Sequence, residues 1–341
     1  VQRTELETLG EFGLIDRITQ HFALQNPESV VGIGDDCAVI ETGSTVYQLL
    51  STDLLTEGVH FDLSYYPLRH LGYKAVAVNV SDIAAMNGIP KQITVSIALS
   101  NRFSVEAVEE LYEGIRFACE DFKVDLVGGD TTSSRSGLMI SVTVVGTVAK
   151  DKITYRKGAK ENEILCVTGD LGGAYMGLQV LEREKQVFLS NPEMQPELEG
   201  KDYIIQRQLK PIARTDMVYE LAEAGVVPTA MIDISDGLAS ELLHLCKACA
   251  LGAVVFEEKI PLDESTFQTA LDFNIAPHTC ALNGGEDYEL LFTVKQADYD
   301  KIRLNPNITA IGYMIPQAEG VKMQSKSGTI VPITAQGWQH F

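Results

Sequence analysis

The chain has 341 residues, 45% of them hydrophobic and 22% charged, with a formal net charge of −20. That length suits two domains, while the acidity argues against nucleic acid, whose phosphate backbone needs a positive face. No long uncharged apolar run signals a membrane span, the opening VQRTELETLGEFGLI lacks the pattern of a secretory signal, and six scattered cysteines point to a reducing cytoplasm.

Helical periodicity predicts an amphipathic helix over residues 8–25, with Leu14, Ile15, Ile18 and Phe22 on one face. VVGIG leads into Asp35 and Asp36, and VYQLLSTD reads as a strand ending at Asp53. LGYKAVAVNVSDIAAMNG reads as a helix with Ala75, Asn79, Asp82 and Met86 along one side. QITVSIALS is a strand, VEAVEELYEGIRFACEDF a helix, KVDLVGGD a strand ending in a glycine turn, and LMISVTVVGTVA a further strand. This half is mixed α+β, without the regular βαβ rhythm of a doubly wound sheet.

The charged stretch DKITYRKGAKENE breaks the pattern and divides the chain into domains at 1–150 and 151–341. The second half resumes with a strand, a glycine turn and a helix in EILCVTGDLGGAYMGL, then a helical and loop insert over about 185–210. A strand–turn–helix follows in AMIDISDGLASELLHLCKACALG, then a strand in AVVFEE and a turn into a strand in LNGGEDYELLFTV. Cys246 and Cys249 form C-x-x-C near His244, but their helical spacing and the lack of a second Cys/His pair favour core cysteines over a metal site.

Five acidic clusters stand beside apolar strands: Gly32–Asp36, Ser51–Asp53, Gly128–Thr132, Asp233–Gly237 and Gly284–Tyr288, with Asp82 joining from a helix. Any one Asp after a strand is commonly a turn or helix-capping residue; Asp236 could simply begin a helix. Five glycine-flanked clusters in one chain call for more. They offer carboxylates, hydroxyls and close-approaching backbone, a hard-oxygen set suited to magnesium, calcium or manganese rather than zinc. Polyphosphate held through several such ions resolves how so acidic a chain could meet a nucleotide. No G-x-x-x-x-G-K-[ST] loop, complete dinucleotide fingerprint, kinase motif set or G-x-S-x-G elbow is present, so the nucleotide site is built another way. The residues alone point to metal-dependent phosphate chemistry.

In order along nearly the whole chain, GEFGLIDRI, GIGDDCAVI, STDLLTEGVHF, YKAVAVNVSDIAAMNGIP, LVGGDTT, VTGDLGGAYMGL, IDISDGLASEL, NGGEDYELLFTV and GWQHF resemble the thiamine-monophosphate kinase family. That resemblance implies an N-terminal domain whose small mixed sheet pairs with a dimer mate to form a β-barrel. It also implies a C-terminal α/β sandwich domain, with the active site in the cleft between domains.

It further implies roles for single residues. Asp35, Asp36, Thr52, Asp53, Asp82, Asp130, Asp233 and Asp236 look like magnesium ligands, with Asp36, Asp53, Asp130 and Asp236 at the centre of catalysis and Ser51 assisting. Tyr112, Gly129, Asp130, Arg156 and Ser235 look like ATP contacts, and His60, Glu286 and Trp338 like the thiamine-phosphate pocket. Trp338, the only tryptophan, could stack on the pyrimidine or attract the thiazolium, or merely anchor the tail. Glu286 could hold the aminopyrimidine or offset the thiazolium charge.

The implied reaction moves a phosphoryl group from ATP to thiamine monophosphate in a homodimeric, cytoplasmic enzyme with several magnesium ions. An acceptor phosphate is already ionised at neutral pH, so no strong general base is needed and direct in-line transfer is expected. The alternatives are a different acceptor within the same superfamily, or a non-catalytic sensor of thiamine phosphates.

Overall fold

The computed structural model describes residues 5–335. In the first half, α1 (Gly10–Thr19) precedes β1 (Ser29–Val31), β2 (Ala38–Glu41) and β3 (Val46–Thr56). Then come α2 (Leu68–Ala85), β4 (Ile89–Leu99), α3 (Val105–Phe122), β5 (Asp125–Ser133) and β6 (Met139–Ala149). Their six strands form one sheet in the order β1-β2-β3-β6-β4-β5, antiparallel except for β4 with β5. Period-two patterning sets its faces: Leu49 and Leu55 of β3 and Ile140, Val142 and Val144 of β6 are buried against helices, while Thr52 and Leu54 point the other way.

The helix α2 is unusual in burying 14 of its 18 residues, including Lys74, Asn79 and Ser81. A helix apolar all round belongs in an interior. It crosses α3 at glycines: a Cβ on Gly72 would sit 2.0 Å from the Leu111 carbonyl oxygen, and one on Gly114 would sit 1.8 Å from that of Arg69. The Ser104 hydroxyl caps α3 by accepting the Ala107 N–H at 3.2 Å.

The second half contributes β7 (Ile164–Thr168), α4 (Gly173–Ser190), α5 (Asp202–Leu209), α6 (Thr215–Glu223), β8 (Ala230–Asp233), α7 (Leu238–Cys249) and β9 (Leu251–Phe256). It continues with α8 (Glu264–Asp272), α9 (Pro277–Asn283), β10 (Leu290–Val294), α10 (Gln296–Ile302), β11 (Ile308–Pro316), β12 (Val321–Gln324) and β13 (Ile330–Pro332). A seven-stranded sheet runs β13-β12-β9-β11-β7-β10-β8. The chain is thus a mixed α+β fold of two sheets. The far end of α2 joins them, because Ala84 and Ala85 pack with Cys166, Met217, Met231 and Phe292 of the second half.

Two local expectations change and one is met. The first helix is shorter than residues 8–25, and none of its residues is buried. The insert over 185–210 is the end of α4, a connection and α5, whose Ile204, Gln208 and Leu209 are buried. Gly128 and Gly129 do not end a strand but lie inside β5, where a Cβ on Gly129 would meet the Val95 carbonyl oxygen at 1.9 Å. Close approach of two strands, not a turn, accounts for that glycine. Among the described residues no helix is long and apolar enough to cross a membrane, and all six cysteines are free thiols.

Candidate active site

The carboxylates of Asp36, Asp82 and Asp233 converge from three separate elements, each offering an oxygen within 4.8 Å of the others. Asp36 lies in the turn before β2, Asp82 on the last turns of α2, and Asp233 at the end of β8. Serine hydroxyls of α2 and β3 aim two of them. Ser81 donates to Asp233 Oδ2 across the halves at 2.5 Å, while Asp82 Oδ2 accepts from the Ser51 hydroxyl at 2.5 Å. Asp53, two residues along β3 and on the same face as Ser51, is fixed by its backbone, whose N–H donates to Asn79 Oδ1 at 2.9 Å.

Such crowding of acids has an electrostatic signature. Burial raises the Asp82 carboxyl well above the usual range, and the neighbouring charges of Asp53, Asp233 and Asp36 add to it. Burial, then Asp36, raises Asp233, and burial raises Asp53. Asp35 is pushed up to about 6 by burial and by Asp36, although it accepts the Arg156 N–H. Against this stands one guanidinium: Arg156 donates to Asp36 Oδ1 from Nη2 at 2.6 Å and from Nε at 3.1 Å. Asp36 Oδ2 is buried and has no hydrogen-bond partner among the described residues. Several buried acids facing one arginine, with an orphaned carboxylate oxygen and oxygen-only donors, fit a hard divalent cation.

The cluster opens into a cavity of about 520 Å³ lined by Asp53, Asp82, Asp233, Ser235 and Asp236 together with His60 and Glu286. His60 follows β3, and its Nδ1 accepts the Thr56 N–H at 3.0 Å. Glu286 sits in a turn tied to the end of β8, its N–H donating to the Ser235 carbonyl at 2.6 Å. Gly285 makes that turn possible: its φ is +73°, and a Cβ there would lie 2.6 Å from the Ser235 carbonyl oxygen. Asp236 lies at the start of α7, and its N–H donates to the buried Glu241 at 3.1 Å.

Other expected site residues lie elsewhere in the single chain. Thr52 points to the opposite sheet face from Ser51 and Asp53, and its hydroxyl donates to the Val142 carbonyl at 3.0 Å. Gly129 and Asp130 are on the edge strand β5, whose nine positions are all exposed. Three strand spacings, about 14 Å, separate that edge from β3. Tyr112, on α3, lines a shallow depression with Leu99 and Phe103 rather than the cavity. Trp338 lies outside the described residues.

Several cavity residues went unnoticed in the sequence. Asp62 accepts from Lys185 at 2.6 Å and Tyr65 donates to Glu182 at 2.7 Å, so α4 meets the segment after β3 over the cavity. Lys74 and Gln208 both grip Glu286. One signal was available for Lys74: a lysine inside the apolar helical run LGYKAVAV has to find a buried anion.

Residues 34–148 match the family described as AIR synthase related protein, N-terminal domain. Over 98% of its length the chain is 38% identical to the thiamine-monophosphate kinase of Aquifex aeolicus (strain VF5), covering 99% of that protein. It is 33% identical to the thiamine-monophosphate kinase of Bacillus subtilis (strain 168), again over 98% of this chain and 100% of the relative. The solved structure of AaThiL complexed with AMPPCP and TMP superposes with a TM-score of 0.83 at 35% identity, covering 100% of both chains. Full-length similarity at this level shows that the chain belongs to the thiamine-monophosphate kinase family.

Proposed function

We propose that this chain transfers the γ-phosphoryl group of ATP to thiamine monophosphate, giving ADP and thiamine diphosphate. The observation that carries this reading is the single cavity in which the carboxylates of Asp53, Asp82 and Asp233 share space with His60 and Glu286. It is supported by the names of the full-length relatives and by a similar structure that holds AMPPCP, an analogue of ATP, together with TMP.

Magnesium held by Asp36, Asp53, Asp82, Asp233 and Asp236, with Asp35 beside them, would neutralise phosphate charge during transfer. The protein's own residues position and orient. Arg156 brings a planar cation to the phosphate side, Ser51 and Ser81 hold two carboxylates in place, and Glu286 and His60 receive the acceptor. The acceptor phosphate is itself the nucleophile, so no residue has to remove a proton and no phosphoenzyme forms.

The reading divides the chain into halves at 1–150 and 151–341 and includes a homodimer working in the cytoplasm. The exposed β5, with Leu126 at 43% and Val127 at 61% exposure, is an edge that invites pairing with a second copy into a barrel. That copy would receive Tyr112, Gly129 and Asp130, which the single chain leaves apart from its carboxylates. Incubating the protein with magnesium, ATP and thiamine monophosphate, and following thiamine diphosphate by fluorescence after oxidation, tests the activity. Absence of product from folded protein sinks it.

A further inference from the structure

Glu286 is held more firmly than a cavity carboxylate needs to be. Its backbone is left-handed at φ 59, and its N–H is bonded to Ser235. Its two oxygens are each taken by one donor from a different half of the chain. Lys74 Nζ of α2 lies 2.6 Å from Oε1, and Gln208 Nε2 of α5 lies 2.7 Å from Oε2. The Lys74 side chain is wholly buried while that of Glu286 is 26% exposed. Besides Glu286, the Lys74 ammonium reaches, among the described residues, the His60 carbonyl, at 3.5 Å, and the Tyr66 ring, 5.6 Å from its centroid. Gln208 is anchored through its neighbour Arg207, which pairs with Glu289 at 2.9 Å.

We propose that Lys74 and Gln208 are positioning residues that fix Glu286 as a charge-balanced hydrogen-bond acceptor for an amino group of the acceptor substrate. This rests on the reading of the cavity as the thiamine-monophosphate site. A carboxylate oxygen has two acceptor directions. With one on each oxygen occupied, the two that remain are held in a fixed plane. The buried ammonium cancels the charge of Glu286, so this residue recognises by direction and not by attracting a cation. A neutral N–H donor, such as the amine of an aminopyrimidine, matches that demand. Because Lys74 and Gln208 come from different halves, the acceptor subsite takes shape only when the halves are docked.

Steady-state kinetics on full-length Lys74→Met, Gln208→Leu, Glu286→Gln and the Lys74→Met/Glu286→Gln double variant test the proposal. Lys74→Met should raise KM for thiamine monophosphate about tenfold or more, as expected for a charge-assisted contact, and change KM for ATP less than about twofold. Gln208→Leu should raise the same KM about threefold or more. In the double variant, Lys74→Met should add less than about twofold to the effect of Glu286→Gln, because both act through one carboxylate. Wild-type KM for thiamine monophosphate in Lys74→Met and Gln208→Leu, with Glu286→Gln impaired, overturns the proposal and leaves the site reading standing. Additive effects in the double variant also overturn it. A wild-type KM in Glu286→Gln overturns the site reading and the proposal together. Should Lys74→Met fail to fold, Gln208→Leu decides.

Discussion

Arg156 spends two of its N–H groups on one oxygen of Asp36, at 2.6 and 3.1 Å, and leaves the other oxygen buried without a partner among the described residues. A cation on the free oxygen and a phosphate on the remaining guanidinium donors would complete both groups. Arg156→Met should therefore raise KM for ATP about tenfold or more, and Arg156→Lys should recover little, since a point charge cannot replace the planar fork. Recovery to wild-type kinetics by lysine would refute this.

The crowded carboxylates make metal binding a stabilising event. Adding excess magnesium to metal-free protein should raise the melting temperature by a few degrees. Asp233→Asn removes one of the three converging ligands and should abolish most of that rise. Thermal melts with and without magnesium, in both proteins, are the measurement; an undiminished rise in the variant counts against the cluster as the site.

Catalysis and stability should part company at Asp82. Its carboxyl is buried among like charges, so Asp82→Asn should leave the metal-free protein as stable as wild type or more so. Turnover should nevertheless fall on the order of 10²-fold, as when a preorganised electrostatic group is lost. Paired melting and initial-rate measurements distinguish this from simple unfolding.

Asp287 offers a pH test away from the metal cluster. Burial pushes its carboxyl up to about 7, although Arg207 and the Gly172 N–H oppose the shift. An unfolded Asp titrates near 4. The folded chain therefore keeps a proton that the unfolded chain has lost. This contribution is full below about pH 4 and is lost as pH rises through about 7. Asp287→Asn removes the titration, so its melting temperature should fall less than that of wild type between about pH 5 and about pH 8. Parallel slopes would contradict the assignment.

The β5 edge tests the dimer. Val127→Lys places a charge on an exposed apolar position of that strand and should shift the protein to monomer in light scattering after size exclusion. If Tyr112, Gly129 and Asp130 serve the partner, activity should fall with dissociation. A monomeric variant of full activity would remove those three residues from the catalytic reading.

Much of the site was legible because its marks are local. Glycine beside aspartate at a strand end identifies a turn regardless of what surrounds it, and the turns at Asp36, Asp233 and Glu286 do meet around one space. Direction was harder. Ser51 and Asp53 share a face that Thr52 cannot, a consequence of period-two geometry that a motif of three adjacent residues conceals. Gly129 looked like a turn because glycine has two uses, and only the neighbouring strand reveals which one applies. Lys74 and Gln208 were hidden for another reason: 212 and 78 residues separate them from Glu286, a distance over which spacing carries no signal.

The helix α2 supplies the interior of the first half through Leu71, Val76 and Val80, and that of the second through Ala84 and Ala85. One core cluster of each half therefore draws on residues of the other, and the chain should melt in a single cooperative step rather than two. The same sharing forbids a jaw-like opening of the cleft, which would tear the two alanines from Phe292 and Cys166. Traffic of substrate and product then falls to the side chains that bridge the halves over the cavity, Lys185 with Asp62 and Tyr65 with Glu182.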